Sequence, residues 1–213
     1  MKTLPLCVLF LVILIIISCD TKNESIVVEK QWIKIEIEGE HAPVYAIYGN
    51  IDGSLMVAMY GKILKTDDGG KNWTKKLEVL DDIGSIKMSH DTLLAISNFT
   101  DYYSLDQGIN WEILAQDLPL NYVETVQTTT GIVYRRQENS NGELGLPTSL
   151  FESRDGGHSW KNIFPFQASI YSIYTNEENN LYVGINNTVI WNEERGSFEE
   201  NLENNSAFYY SKN

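Results

Sequence analysis

Residues 66–73 read TDDGGKNW, and this stretch decides the fold because its spacing returns twice further along the chain. The spacing S/T-x-D-x-G-x-x-W recurs as SLDQGINW at residues 104–111 and as SRDGGHSW at residues 153–160. Ser, Thr and Asp side chains bond to nearby backbone N–H groups in tight turns, and Gly accepts a positive φ there. The closing Trp begins a strand and buries a large apolar ring. The fixed positions are Thr66, Asp68, Gly70, Trp73, Ser104, Asp106, Gly108, Trp111, Ser153, Asp155, Gly157 and Trp160.

With these three copies the chain resembles the Asp-box or BNR-repeat β-propellers. That family includes sialidases, sortilin-like ectodomains and photosystem II assembly-factor-like proteins. The resemblance implies an all-β fold of four-stranded blades, with the boxes at the rim and away from any central site. We therefore expect the box residues to be structural and not catalytic.

The N-terminus has the features of a targeting segment. Lys2 precedes an apolar run at residues 4–17, which is shorter than the roughly 20 residues that a transmembrane helix needs. Residues 16–19, Ile-Ile-Ser-Cys, resemble a bacterial lipobox, whose cysteine becomes the acylated first residue of the mature protein. The sequence therefore predicts a signal peptide at residues 1–18 and lipidation of Cys19. An ordinary cleaved signal peptide and an uncleaved anchor are the alternatives.

Cysteine content and charge agree with a lipid anchor. Cys7 lies inside the predicted signal peptide, so Cys19 has no partner for a disulfide or a metal site. Removal of Lys2 takes the formal net charge from −13 to −14, and such a surface repels nucleic acid and anionic headgroups. Residues 19–30 are polar and are predicted to form a flexible tether. The expected location is the bacterial cell envelope, with the membrane and its face left open.

Two weaker members extend the repeat series at both ends. Trp32 heads an alternating strand pattern, and Phe198 follows a degenerate box one residue short. The resulting period of about 40 residues is typical of propeller blades, and no helical period follows the signal segment. The first strands of the repeats align four residues that we expect in the inner core, Ile47, Ile86, Val126 and Ile173. The predicted propeller domain spans residues 31–213, with blades at about 43–78, 82–116, 121–165 and 169–203.

Strand counting predicts an incomplete ring. The four repeats supply four complete sets of strands, with residues 189–191 as the third strand of the fourth set. Residues 32–37 and 207–210 are then left without partners. We expect that the chain is the product of a longer gene, or that it completes itself against another copy through its exposed blade edges.

Candidate ligand-binding residues are few. In propellers of this kind, the fourth-to-first loops lie on the face opposite the boxes, so Asp81, Asp82 and Asp117 are candidates there. Arg135 and Arg136 are adjacent on a strand and must point to opposite faces, so at most one faces inward. The histidines have no metal-ligand spacing, and no cofactor motif is present. No metal or cofactor is predicted.

The predicted function is binding of a protein or glycan partner without catalysis. The alternative is a sialidase-like glycoside hydrolase relative. By resemblance, that chemistry needs three arginines, a tyrosine nucleophile and an acid/base carboxylate. The chain has four arginines in all, of which Arg154 lies in an exposed box and Arg195 in the degenerate one. The sialidase Arg-Ile-Pro signature is absent, so the missing residues would have to come from sequence beyond Asn213.

Overall fold

The computed structural model describes residues 30–115, 118, 124–137, 148–166, 168–186, 189–192, 197–200 and 204–212, with backbone alone at 189–192 and 197–200. Every regular element in these ranges is a β-strand, which confirms the all-β prediction. Over the same ranges there is no helix with the length and apolar character needed to cross a bilayer. The apolar run at residues 4–17 and Cys19 lie outside the described residues.

Most strands are short, two have 12 and 16 residues, and most join antiparallel to a neighbour close in sequence. In chain order they are β1 Ile33–Ile37, β2 Ala46–Gly49, β3 Leu55–Thr66, β4 Thr74–Ser89, β5 Thr92–Ser97, β6 Tyr102–Ser104, β7 Glu112–Ile113, β8 Thr125–Gln127, β9 Val133–Gln137, β10 Ser149–Ser153, β11 Lys161–Asn162, β12 Ser169–Thr175, β13 Leu181–Asn186, β14 Val189–Asn192, β15 Ser197–Glu200 and β16 Ser206–Ser211.

Hydrogen bonds join these strands into one six-stranded sheet, two four-stranded sheets and a separate hairpin. The six-stranded sheet divides within β4 into two sheets, which gives four in all. The first sheet runs β2-β3-β4 and the second β4-β5-β6-β7, because residues 74–82 of β4 pair with β3 and residues 83–89 pair with β5. Within β3, Gly61 has a φ of +67° and the register shifts, so the strand bends there. The third sheet is β8-β9-β10-β11, and the fourth is β12-β13-β16-β1. The hairpin is β14-β15.

The fourth sheet differs from the sequence prediction. The neighbour of β13 is β16, and the strand expected there, β14, pairs with β15 instead. The expectation that residues 32–37 and 207–210 stay without partners is also wrong, because β1 pairs with β16 along its whole length. The physical reason is that β16 hydrogen-bonds along both edges, to β13 and to β1. The first and last described strands therefore lie in one sheet.

The core lies between neighbouring sheets. The inner strands β12 and β2 pack against each other, β12 also packs against β8, and β2 against β4. Of the four residues predicted for the inner core, Ile47, Ile86 and Ile173 are buried, as predicted. Val126 is half-buried and packs against the cluster that contains Ile173. The four sheets thus present their first strands to a common centre.

Candidate functional site

A central cavity of about 390 Å³ lies where the four sheets meet. It is lined by residues of β2, by the second half of β4, by Val126 on β8, and by β12 with the turn that follows it. A volume of this size is within the range of about 300–1,000 Å³ that small-ligand sites occupy. Each sheet thus contributes its first strand to one site.

Four tyrosines form one wall of this cavity. Tyr45 packs edge-to-face on Tyr171, with ring centroids 5.5 Å apart, and Tyr48 packs on Tyr174 at 5.8 Å. Each pair joins a residue in β2 or just before it to the equivalent residue of β12. Tyr174 is held further by its hydroxyl, which accepts a hydrogen bond from the Gly49 N–H at 3.3 Å. The wall is therefore a fixed aromatic surface.

The opposite wall is built from smaller and more polar residues of β4. Gly84 occupies the position equivalent to Tyr45, and Lys87 the position equivalent to Tyr48. Ser85, Ile86 and Met88 complete this part of the lining. Because Gly84 has no side chain where two other sheets have tyrosines, it leaves space beside the aromatic wall. The cavity is therefore aromatic on one side and of mixed polarity on the other.

Two charged side chains line the cavity and are exposed to solvent. Glu177 lies in the turn after β12, and Lys87 lies on β4. Neither forms an ion pair with a residue that the structure describes. Burial raises the pKa of the Tyr48 and Tyr174 hydroxyls, and the Glu177 carboxylate raises both further. At neutral pH both phenols are therefore neutral.

The three boxes are hydrogen-bonded turns, each built around its Asp and its Ser or Thr. In the first, the Thr66 hydroxyl donates to Asp68 at 2.9 Å and accepts from the Gly70 N–H at 3.0 Å. Asp68 also accepts from the backbone N–H of Asn72 at 2.9 Å. The same bonds recur around Asp106 and Asp155. None of these residues lines the cavity.

The box aspartates share one electrostatic property. Bonds donated by Asn72 hold the pKa of Asp68 at about 2, and bonds donated by Asn110 hold that of Asp106 at about 2. Bonds from Ser159 lower the pKa of Asp155 still further. The carboxylates are therefore ionised acceptors within turns. This arrangement suits a structural role and leaves no proton to transfer near neutral pH.

Two of the acidic candidates, Asp81 and Asp82, lie outside the cavity lining. Asp81 caps neighbouring backbone groups, accepting from the N–H of Phe99 at 2.7 Å and from that of Asp82 at 2.8 Å. Burial raises the pKa of Asp82, and the Asp81 charge adds to the effect. Asp117 lies outside the described residues. The structure thus brings Asp81 and Asp82 together, but not at the central cavity.

The two arginine candidates also make contacts outside the lining. The Arg135 guanidinium lies over the ring of the box residue Trp160, 4.3 Å from its centroid. Arg136 donates from Nη1 to the backbone oxygen of Ile170 on β12 at 3.0 Å. Each arginine therefore has a partner within the fold, and neither lines the cavity.

One Tyr–Glu pair lies elsewhere in the third sheet. Tyr134 and Glu152 are direct cross-strand partners on β9 and β10, and both are buried. Glu152 is ion-paired with Arg154 at 2.5 Å and with Lys30 at 3.7 Å. Burial raises the pKa of the Tyr134 phenol and lowers that of the Lys30 ammonium. The pair is an internal charge cluster that a substrate in the cavity does not reach.

Sequence reasoning missed the tyrosines, although a signal was present. Residues 45–48 read YAIY and residues 171–174 read YSIY, so the same Y-x-I-Y pattern surrounds two of the four aligned core positions. The aligned isoleucines belong to the buried core, while the flanking tyrosines line the cavity. Among the described residues, no group of three or more His, Cys, Asp or Glu side chains is placed to hold a metal ion.

A family model for the BNR/Asp-box repeat matches residues 102–112, the second box. No curated protein matches the chain by sequence. Solved structures of propeller type are similar at low identity. YCF48 from Cyanidioschyzon merolae is 16% identical, with 71% of this chain and 52% of that chain covered and a TM-score of 0.34. YCF48 bound to D1 peptide is 12% identical, with coverages of 79% and 71% and a TM-score of 0.35.

Virginiamycin B lyase from Staphylococcus aureus is 15% identical, with 81% of this chain and 59% of that chain covered and a TM-score of 0.35. The chain thus spans 52% of the length of YCF48 and 59% of the length of the lyase. The described residues thus form an all-β protein of antiparallel sheets that carries a match to the BNR/Asp-box repeat.

Proposed function

We propose that this protein is a non-catalytic, lipid-anchored β-propeller of the bacterial cell envelope that binds a protein or glycan partner in its central cavity. The observation that carries the proposal is the wall of four tyrosines contributed by equivalent positions of two neighbouring sheets. Tyrosine supplies a rigid apolar face together with a polar hydroxyl, which is why it is enriched in binding surfaces. Acylation of Cys19 would hold this site at a membrane.

In this proposal the four sheets are four blades, and both ends of the described chain contribute to the fourth. The pairing of β1 with β16 supports that arrangement, because it gives the fourth sheet its outer strands. The incomplete ring expected from strand counting stays a prediction, as does self-association through blade edges. Sedimentation of the purified protein tests both, since an open ring with exposed edges would associate.

The glycoside hydrolase alternative is the weaker one because none of the arginines that the structure describes lines the cavity. Arg135 and Arg136 have partners away from the cavity, and the Tyr134–Glu152 pair is buried between strands. A retaining sialidase needs its arginines, nucleophile and acid around one sugar. We expect no release of sialic acid by the purified protein. Turnover that disappears in Arg135→Ala or Arg136→Ala would favour the hydrolase instead.

The proposal is tested by capturing the partner from the native membrane with matched variants. Tyr171→Ala removes one ring from the cavity wall, and Tyr60→Ala removes a ring that is 62% exposed and lies outside the cavity. We expect a partner that is recovered with the wild type and with Tyr60→Ala but lost with Tyr171→Ala. Equal recovery by both variants would place the binding surface elsewhere.

A further inference from the structure

One part of the cavity lining combines aromatic rings with a carboxylate. Tyr48 and Tyr174 face each other across the boundary between the first and fourth sheets, with centroids 5.8 Å apart and planes at 47°. Both tyrosines are half-buried and line the cavity, and Tyr174 also packs on Tyr182 with ring centroids 5.8 Å apart. Glu177 lies in the turn that follows Tyr174 and lines the same cavity. Two aromatic rings and a carboxylate thus line the same part of one cavity.

Such a combination favours a cation over a neutral or anionic group. The face of an aromatic ring carries a negative quadrupole and attracts an ammonium within about 6 Å of its centroid. A carboxylate without an internal counter-ion adds a direct charge–charge attraction. Glu177 has no ion-pair partner among the described residues, so its charge is available to a ligand.

We infer that Tyr48, Tyr174 and Glu177 form a subsite for an alkylammonium group, the side chain of a lysine on a protein partner. This inference rests on the proposed function and narrows its partner from a protein or glycan to a protein with an accessible lysine. The overall charge also favours a basic partner, because a chain with a formal net charge of −13 attracts basic partners and repels acidic ones.

Lys87 lies on the β4 wall of the cavity and provides a further test of the subsite. Its ammonium cannot hold a second cation, so it does not belong to the subsite. It is available instead to a carboxylate or a backbone carbonyl of the same partner segment. Removing its charge should leave the binding of an isolated ammonium unchanged or make it tighter.

The test uses the full chain in non-ionic detergent and Nα-acetyl-lysine amide as the probe, with dissociation constants from ligand-observed NMR. Glu177→Gln should weaken binding about tenfold, equivalent to 1.4 kcal/mol. Tyr48→Leu should weaken it about fivefold through the loss of one ring face. The matched control is Glu178→Gln, which changes a neighbouring exposed carboxylate that does not line the cavity. That control should bind like the wild type.

Three results would overturn the subsite. They are no binding by the wild type, an equal loss in Glu177→Gln and Glu178→Gln, or weaker binding in Lys87→Gln. Glu177 and Glu178 are both exposed, so their variants are expected to fold, and thermal midpoints check this.

A parallel titration with N-acetylglucosamine separates the two proposals. Sugar binding without lysine binding would contradict the lysine subsite alone, while retention of the partner by Tyr171→Ala would contradict the cavity proposal.

Discussion

Ile35 of the first described strand lies directly opposite Phe208 of the last, so the two ends of the described chain are joined in one sheet. Phe208 is fully buried, and its ring packs edge-to-face against Trp73 of the first box at 6.3 Å. Gly70 of the same box lies against Ile35, where an added Cβ would come within 2.9 Å of the Ile35 side chain. The chain ends and the first box therefore pack as a unit.

Truncation of Phe208 tests this contact. Phe208→Ala removes a buried ring shared by the first and fourth sheets and should cost about 3–5 kcal/mol of unfolding free energy. Ile33→Ala is the matched control on β1, because that side chain is 44% exposed and should cost little. Chemical denaturation of both variants gives the comparison. Equal small losses would mean that β16 does not belong to the core.

The three box tryptophans should respond differently to replacement by Phe. Trp73 and Trp160 donate from Nε1 to the backbone oxygens of Gly70 and Gly157 at 3.1 and 2.9 Å. Trp111 Nε1 is buried and has no hydrogen-bond partner among the described residues. Trp73→Phe and Trp160→Phe should each cost about 1 kcal/mol more than Trp111→Phe, because only they lose a hydrogen bond. Equal unfolding free energies for the three would contradict these indole contacts.

Removal of the whole ring at Trp111 is a separate experiment. Trp111 packs against the cluster that contains Met56 and Leu93, so Trp111→Ala should cost on the order of 3 kcal/mol. If thermal stability were unchanged while partner binding was lost, the boxes would belong to the binding site and not to the scaffold.

Acid should destabilise the protein through the box aspartates. Their pKa values lie below the ordinary value of 3.8 in the folded state, at about 2 for Asp68 and Asp106. A depressed pKa contributes stability that is complete above pH 3.8 and is lost as the pH falls toward 2. Asp106→Asn should therefore flatten the pH dependence of the denaturation midpoint in that window. Asp91→Asn, an exposed turn residue, should leave the slope unchanged.

Anchoring is predicted from residues outside the described ranges. Cys19→Ala should abolish acylation and release the protein from membranes on cell fractionation. Mass spectrometry of the mature N-terminus provides the second readout. Unchanged membrane retention together with an unchanged mass would exclude lipidation at Cys19.

The sequence predicts the local turns of this fold better than the pairing of strands that lie far apart in the chain. The boxes are readable because every hydrogen bond in them joins residues within four positions of each other. The partner of β13 was predicted wrongly because β14 and β16 are both apolar and strand-like, and only the long-range pairing with β1 distinguishes them. Tyr45 and Tyr171 were missed for the same reason, since their contact depends on how two sheets pack.

Site-specific photocrosslinking in living cells tests the central claim most directly. A photoreactive amino acid placed at Tyr171 reports what occupies the cavity, and the same amino acid at the exposed Tyr60 reports the outer surface. We expect a discrete crosslinked partner from position 171 and none from position 60. A partner that crosslinks at position 60 and not at 171 would contradict binding in the central cavity.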